Sequence, residues 1–599
     1  MAWYDEAVFY HIYPLGLAGA PKQNDYGEPV HRLNTLLPWV DHIKEIGGSA
    51  LYIGPLFESV GHGYETTDYK KLDSRLGTNE DLTAFVAYCH EQGIKVIFDG
   101  VFNHTGRDFF AFKDIQANRE NSQYKDWYCN VNFWGNNEYN DGFSYDNWEG
   151  YNLLVKLNQK NPAVVDYICD VIRFWVSEFD VDGIRLDAAD VLDFDFMKAL
   201  RRTANEVKPD FWLMGEVIHG DYSRWVNGET LHSVTNYTLH KALYSGHNDH
   251  NYFEIAHTVR RLQNMGTLKL YNFVDNHDVE RIYTKLTNKA HFAPVHVLLY
   301  TLPGVPSIYY GSEFGIEGRK EYGSDDSLRP ALNIEDYKDS VKTNPCTALI
   351  AALGKVRQAV PALSYGSYAE LMLTNRQFAY ARDLDGTRVI VSVNNDDAPA
   401  GMHLAAGNCT AYIGALSGEK VSVQDGHINI TQPANSGEIW VPDGTDLDVK
   451  PVKVVTKTES EAKTNTEDKA ASETATDAKG NKEAEPKIES KESKDIVTAT
   501  ESADAKKNTT NTEKNISAAN EVKDSAKDAS AQAAADTPVD PETITVDWSK
   551  SPESMTVPEL QAAVLAKLSG NGPVDAQMKK TVTDNIWHDS LVNWLKSFR

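Results

Sequence analysis

The sequence predicts an α/β fold: a (β/α)8 barrel with an inserted subdomain after strand 3, followed by an antiparallel β-sandwich domain, a disordered linker and a small helical C-terminal segment. Three observations carry this. Eight short β-rich runs alternate with helical patterns before residue 312, and such alternation implies parallel strands joined by helical crossovers, with eight strands suggesting TIM-barrel closure. After residue 363 the chain changes to short strands separated by turn residues. From 451 to 546 it contains no Phe, Tyr or Trp.

The candidate barrel strands are 8–13, 49–54, 95–100, 183–188, 211–217, 233–237, 269–274 and 305–311, which assigns the barrel to 1–103 and 158–363. Between them, 79–93 and 161–180 carry helical periodicity; the first opens at Asn79, an N-cap type, and closes at Gly93. Residues 104–157 are rich in aromatics and Asn and too long for an ordinary βα loop, so they read as an inserted subdomain B. Its Trp127, Trp134, Phe143 and Trp148 suit either a self-contained mini-core or a wall on which a sugar stacks.

Residues 364–445 form the sandwich, with strand patterns at 377–383, 388–395, 410–415, 427–432 and 437–442. The stretch 446–546, built of charged and small residues, cannot bury enough apolar surface to offset its ordering entropy and reads as a disordered low-complexity linker. In 547–599, Leu560, Val564, Leu565 and Leu568 share one helical face, and Ile586, Leu591, Trp594 and Leu595 another.

Hydrophobic residues make up 41% of the 599, enough for a large core. The net charge of -27 argues against nucleic acid or an anionic membrane as the main partner. Five cysteines without a CxxC pair read as free thiols of a reducing compartment. The N-terminus lacks a basic start followed by an apolar stretch, and no run of 18 apolar residues occurs. The expectation is a cytoplasmic enzyme with no membrane partner; its oligomeric state is left unassigned.

The chemistry is concentrated at the C-terminal ends of the strands, where a barrel builds its active site. Strand 3 ends in Asp99, Asn103 and His104; strand 4 in Arg185 and Asp187; strand 5 in Glu216; strand 7 runs into His277 and Asp278. Residues i and i+2 of a strand face the same way, so Arg185 and Asp187 aim at one spot. So many charges on one rim would repel unless they did chemistry. Two carboxylates flanking a bond can run glycoside hydrolysis, one protonating the leaving oxygen while the other attacks the anomeric carbon. Arg185 is then expected to keep Asp187 anionic, since a nearby opposite charge lowers a carboxylate's pKa.

In order along the chain, "DGVFNH", "GIRLDAAD", "GEVI" and "FVDNHD" resemble the four signature motifs of the α-amylase family of retaining glycoside hydrolases (glycoside hydrolase family 13), and "HGYETTDY", "LGTNEDL" and "KLNQKNPAV" match too. The resemblance spans residues 5–445. It implies Asp187 as nucleophile, Glu216 as general acid/base and Asp278 as transition-state stabiliser. Arg185, His104 and His277 would line the same sugar subsite, Tyr64 would stack beneath the ring, and Asp99 would support the site. Asp325 and Arg329, in "GSDDSLRP", are similar to a pair that binds the next sugar outward.

The implied function is cleavage of α-1,4, and also α-1,6, bonds in maltodextrins, cyclodextrins or starch-derived oligosaccharides by double displacement. An α-glucosidase or a transglycosylase of the same family is the alternative. A non-catalytic glucan-binding member is the remote one, since such members lose the acids. "GEVIHGDYSRWV" and "KLNQKNP" look like the neopullulanase and cyclomaltodextrinase branch. Two features depart from it: strand 1 begins within ten residues of Met1, where that branch carries an extra β-domain, and Ala189-Asp190 replaces the Lys-His pair of many endo-acting α-amylases. No cofactor is required and no metal is predicted; Asn103 stays as a candidate calcium ligand, its alternative being a loop-capping hydrogen bond.

Overall fold

A computed structural model describes residues 2–322, 324–447 and 449, and in the C-terminal part residues 546, 548, 550, 551, 555–569, 582 and 595. The chain divides into two units, 1–481 and 482–599, each described by itself.

In the first unit the eight runs form parallel strands: β1 (Phe9–Ile12), β2 (Ala50–Ile53), β3 (Lys95–Gly100), β4 (Gly183–Leu186), β5 (Trp212–Gly215), β6 (Ser233–Val234), β7 (Tyr271–Asn272) and β8 (Val305–Tyr309). Their order around the sheet is β6-β5-β4-β3-β2-β1-β8-β7, and a parallel bridge between Thr235 and Tyr271 joins β6 to β7 and closes the ring. Side-chain alternation sorts the strands into two layers. Phe9, Ala50, Tyr52, Ile97, Trp212, Met214 and Tyr271 pack inside the ring, while Tyr10, Ile12, Leu51, Ile53, Val96, Phe98, Ile184 and Leu186 pack outward in the main core with the surrounding helices. The lower end is plugged by aromatic contacts: Trp212 stacks on Phe9 at 4.9 Å and on Tyr4 at 5.9 Å. Asp99 and Arg185 lie toward the opposite, C-terminal end.

The first helix after β2 runs Asn79–Glu91, and its N-cap is Thr78 rather than Asn79. Thr78 and Asp81 form a reciprocal capping box. The Asn79 side chain instead ties the helix to the preceding strand, accepting from the Leu72 N–H at 2.8 Å and donating to the Lys70 carbonyl at 2.9 Å. The helix Pro162–Phe179 is capped by Asn161, whose side chain accepts from the Ala163 N–H, and ends at Asp180 in the left-handed region.

The insertion carries a helix, Phe110–Asn118, and a small antiparallel sheet of His104–Thr105, Tyr151–Lys156 and Asn147–Trp148. Its aromatics match neither reading throughout. Trp127 and Phe143 are buried in the main core, continuous with the barrel rather than self-contained, Trp148 is half-buried with its ring 6.2 Å from His104, and Trp134 is 98% exposed.

Beyond the barrel, an antiparallel six-stranded sheet faces a two-stranded one, Ala400–Ala405 with His427–Gln432. Ala379, Ile390, Met402, Leu404, Tyr412, Ile428, Ile430 and Trp440 fill the space between. Three strands here, 367–373, 400–405 and 420–422, were not among the strand patterns read from sequence. In the second unit the helix Val557–Ser569 buries Leu560, Ala563, Val564 and Leu565 with Met555, Val582 and Leu595. The linker expected at 446–546 lies almost wholly outside the described residues, as do Ile586, Leu591, Trp594 and the Leu568 side chain. All five cysteines are free thiols. Among the described residues no helix is long and apolar enough to cross a membrane.

Candidate active site

Register puts the first two charged groups side by side. Asp99 of β3 is the direct lateral partner of Arg185 of β4, and both point into the ring. The turn after β2 must make room for them: a Cβ on Gly54 would fall 2.3 Å from the Asp99 Cβ, so only glycine fits. The buried Arg185 guanidinium then gathers three carboxylates. Its Nη1 lies 2.7 Å from Asp99 Oδ1 and 2.9 Å from Asp187 Oδ1, and its Nη2 lies 2.7 Å from Glu216 Oε2.

Glu216 has two further partners. The Ala188 N–H donates to Oε2 at 3.2 Å, and the Tyr237 hydroxyl donates to Oε1 at 3.3 Å. Ala188 sits at φ 46°, ψ 44°, a conformation that costs a non-glycine residue on the order of 1 kcal/mol or more. That turn, immediately after Asp187, aims the N–H at Glu216.

A second group adjoins the first through Asp99. Tyr52 and Tyr64 hydroxyls both donate to Asp99 Oδ2, at 2.8 and 3.2 Å. The Tyr64 hydroxyl also makes a short contact with His277 Nε2, and the two rings lie parallel, 9° apart, with centroids at 5.7 Å. His277 Nε2 is 3.0 Å from Asp278 Oδ2. Arg329 donates from Nη2 to Asp278 Oδ1 at 2.8 Å and to Asp325 Oδ2 at 2.9 Å, and from Nε to the His277 carbonyl at 3.0 Å. Asp99, Asp187, Glu216, Asp278, Arg185, Tyr64, His277, Asp325 and Arg329 thus form one continuous network. His104 stands at its insertion side, buried, with Nδ1 3.3 Å from Asn103 Nδ2 and Trp148 beside it.

The electrostatics correct one expectation. Arg185 is not dedicated to Asp187. Burial, Glu216 and Asp99 push the Asp187 carboxyl well above its ordinary range, with Arg185 pulling the other way. Burial and Asp278 likewise raise Glu216 against the pull of Arg185. Two acids that share one guanidinium and repel each other both favour the protonated form more than a free carboxyl does. Asp278 differs: burial raises it, but His277, Arg329 and Arg185 outweigh burial and hold it down at about 2. Burial lowers His277 and His104 to about 3, so both imidazoles are neutral hydrogen-bonding groups at neutral pH.

Four neighbours escaped the sequence reading: Tyr52, Tyr237, Asn276, which donates to the Tyr237 oxygen at 3.2 Å, and Lys320, which donates to the Asp278 carbonyl at 3.1 Å. Tyr237 carries a usable signal, since it ends the strand-like run 233–237 although the structure makes it the first residue of the helix Tyr237–Asn248. Asn103 Oδ1 accepts from Gln159 Nε2 at 3.3 Å, and Gln159 Oε1 accepts from the Asp193 N–H at 2.6 Å. Among the described residues no group of three or more His, Cys, Asp or Glu gathers as a metal site.

The family model "Alpha amylase, catalytic domain" matches residues 32–352. A cyclomaltodextrinase of Bacillus sp is 31% identical over 422 residues, covering 66% of this chain and 74% of that protein. Neopullulanase 2 of Thermoactinomyces vulgaris is 29% identical over 473 residues, covering 73% and 78%. A solved cyclomaltodextrinase superposes with a TM-score of 0.66 at 27% identity, covering 73% of this chain and 78% of that one. With the strand-end carboxylates in place on a closed eight-stranded barrel, these matches establish that the chain belongs to the alpha-amylase family and is a glycoside hydrolase.

Proposed function

We propose that this glycoside hydrolase cleaves α-1,4 bonds of maltodextrins, and α-1,6 bonds as well, with retention of anomeric configuration. The observation that carries the reading is the pair of carboxylates, Asp187 and Glu216, hung from the two nitrogens of one guanidinium. In this reading Glu216 gives its proton to the glycosidic oxygen while Asp187 attacks the anomeric carbon; Glu216 then takes a proton from the water that releases the sugar. The ionised Asp278, fixed by Arg329 and His277, accepts hydrogen bonds from sugar hydroxyls. The Ala188 N–H and Arg185 remain on Glu216 in both protonation states and favour its anion once the proton has left.

The names of the relatives, cyclomaltodextrinase and neopullulanase, support cyclomaltodextrins and pullulan as substrates. A cytoplasmic setting agrees with a relative named intracellular maltogenic amylase, 28% identical. Chromatography of products from maltoheptaose, cyclodextrin and pullulan, with the anomer read by NMR before mutarotation, tests the proposal. Release of the α-anomer is expected, and release of the β-anomer overturns it. Excess acceptor distinguishes a transglycosylase, which would lengthen chains instead of shortening them.

A further inference from the structure

Trp134 stands 98% exposed in a subdomain whose other tryptophans, Trp127 and Trp148, are buried and half-buried. Full exposure of an indole forgoes about 2 kcal/mol or more of burial. The ring borders a shallow hollow of about 660 Å³, lined also by Glu120, Asn130, Asn132, Ser144 and Asp146. The hollow shares no residue with the carboxylate network described above.

The backbone under this hollow is firmly held. Asn132 and Ser144 exchange N–H···O=C bonds of 2.8 and 3.0 Å, and Asn132 Oδ1 accepts from the Trp134 N–H at 3.0 Å. A Cβ on Gly135 would fall 2.3 Å from Ser144 Oγ, so the turn that presents the indole requires glycine next to it. Arg119 clamps the neighbouring loop through the Asp141 and Gly142 carbonyls at 2.8 and 2.7 Å, with its guanidinium 5.6 Å from the Phe133 ring centroid. Asn130 Nδ2 donates to Asp146 Oδ2 at 2.7 Å and orients that carboxylate.

One rigid aromatic face bordered by amide, hydroxyl and carboxylate groups is the chemistry that recognises a pyranose. Its C–H face stacks on the indole, while its rim hydroxyls meet the polar groups. A protein partner would demand a broader apolar surface than one indole. We propose that the Trp134 hollow is a second carbohydrate-binding site, separate from the catalytic centre, which holds an α-glucan chain while another part of that chain is cut.

The choice of α-glucan rests on the functional reading above; the site itself rests on geometry. The test compares the full chain with Trp134→Ala, by retardation during electrophoresis through gels containing amylopectin and by kcat/KM on maltotriose. Retardation is expected to weaken by about tenfold in apparent affinity, the scale of a lost aromatic platform, with maltotriose turnover unchanged and Trp134→Phe restoring most of the binding. Equal retardation of wild type and variant overturns the proposal. So does an equal loss on maltotriose, which would place Trp134 in the catalytic cleft. A wild-type chain that cleaves no α-glucan defeats the functional reading instead, because retardation is read without turnover.

Discussion

Replacing Glu216 by Gln removes one proton donor and one negative charge while leaving the shape of the side chain intact. The amide oxygen can occupy the Oε2 position and keep accepting from Arg185 and Ala188, and the amide nitrogen then faces the Tyr237 oxygen. Folding should therefore survive, and relief of repulsion among three carboxylates on one guanidinium offsets the weaker charge-assisted bond. Two kinetic effects follow. Loss of general acid catalysis should lower kcat/KM for maltotriose by about 10²- to 10⁴-fold, or about 3–5 kcal/mol of barrier. For an α-maltosyl fluoride, whose leaving group needs little proton assistance, the drop should stay below about tenfold. In addition, Asp187 loses the like charge that helps to raise it, so the acid limb of the fluoride pH–rate profile should move to lower pH. The assay is initial rates for both substrates from pH 4 to 8, with a melting curve as the folding control. Equal losses on the two substrates, or an acid limb that stays where it is in the wild type, would refute the assignment of acid and nucleophile.

Other outcomes follow from the same contacts. Asp187→Asn should abolish turnover of both substrate types while glucan binding persists; residual activity within tenfold of wild type would rule Asp187 out as nucleophile. Tyr237→Phe removes a hydroxyl that donates to Glu216 Oε1 at 3.3 Å. Since that donation favours the carboxylate anion, the basic limb of kcat/KM should rise by about half a pH unit, and a limb that falls would show that Tyr237 acts otherwise. Burial lowers His240 and His247 to about 3 and His296 to about 4. Between pH 6.5 and those values the unfolded chain binds more protons, so each buried imidazole withdraws up to about 1.4 kcal/mol of stability per pH unit as pH falls. Urea midpoints should decline steadily from pH 6.5 to 4.5; a flat profile over that range would contradict neutral buried imidazoles.

How much of this could be read from the residues depended on whether the determinant was local. Strand alternation exposed Arg185 and Asp187 as a same-face pair, and the chemical types at the strand ends exposed Asp99, Glu216, His277 and Asp278. The reading erred where a lateral neighbour decided the outcome. Nothing local announces that Asp99 is the register partner of Arg185, so only the Arg185–Asp187 pair is legible in the sequence. Tyr52 sits inside the apolar run of β2, where a tyrosine looks like ordinary core, and its hydroxyl proves to hold Asp99. The helix at 79 shows a different limit: both Thr78 and Asn79 are cap-type residues, and the capping box of Thr78 with Asp81 makes Thr78 the cap while Asn79 bonds back to Leu72 and Lys70. Strand 367–373, "SYAELML", escaped notice because it lacks clean alternation and carries a bulge between Glu370 and Met372.

The charge balance of the site explains why so many groups converge on it. Asp99, Asp187, Glu216 and Asp278 face two guanidiniums, Arg185 and Arg329, and the nearby imidazoles His104 and His277 stay neutral because burial disfavours their cations. With Asp325 also on Arg329, the acids outnumber the guanidiniums, and a low-dielectric site resists the excess negative charge. Asp278 is held ionised by its own partners, and Asp99 is bound by Arg185, Tyr52 and Tyr64. That resistance shows in Asp187 and Glu216, which burial and neighbouring carboxylates both raise. In the proposed retaining reaction, one of these two acids must carry a proton before the substrate arrives. A sugar seated between the two carboxylates would then decide their roles, since the glycosidic oxygen draws the proton to Glu216 and the positive anomeric carbon draws the anion to Asp187. Arg185, touching both, stabilises whichever acid is ionised and leaves the choice to the substrate.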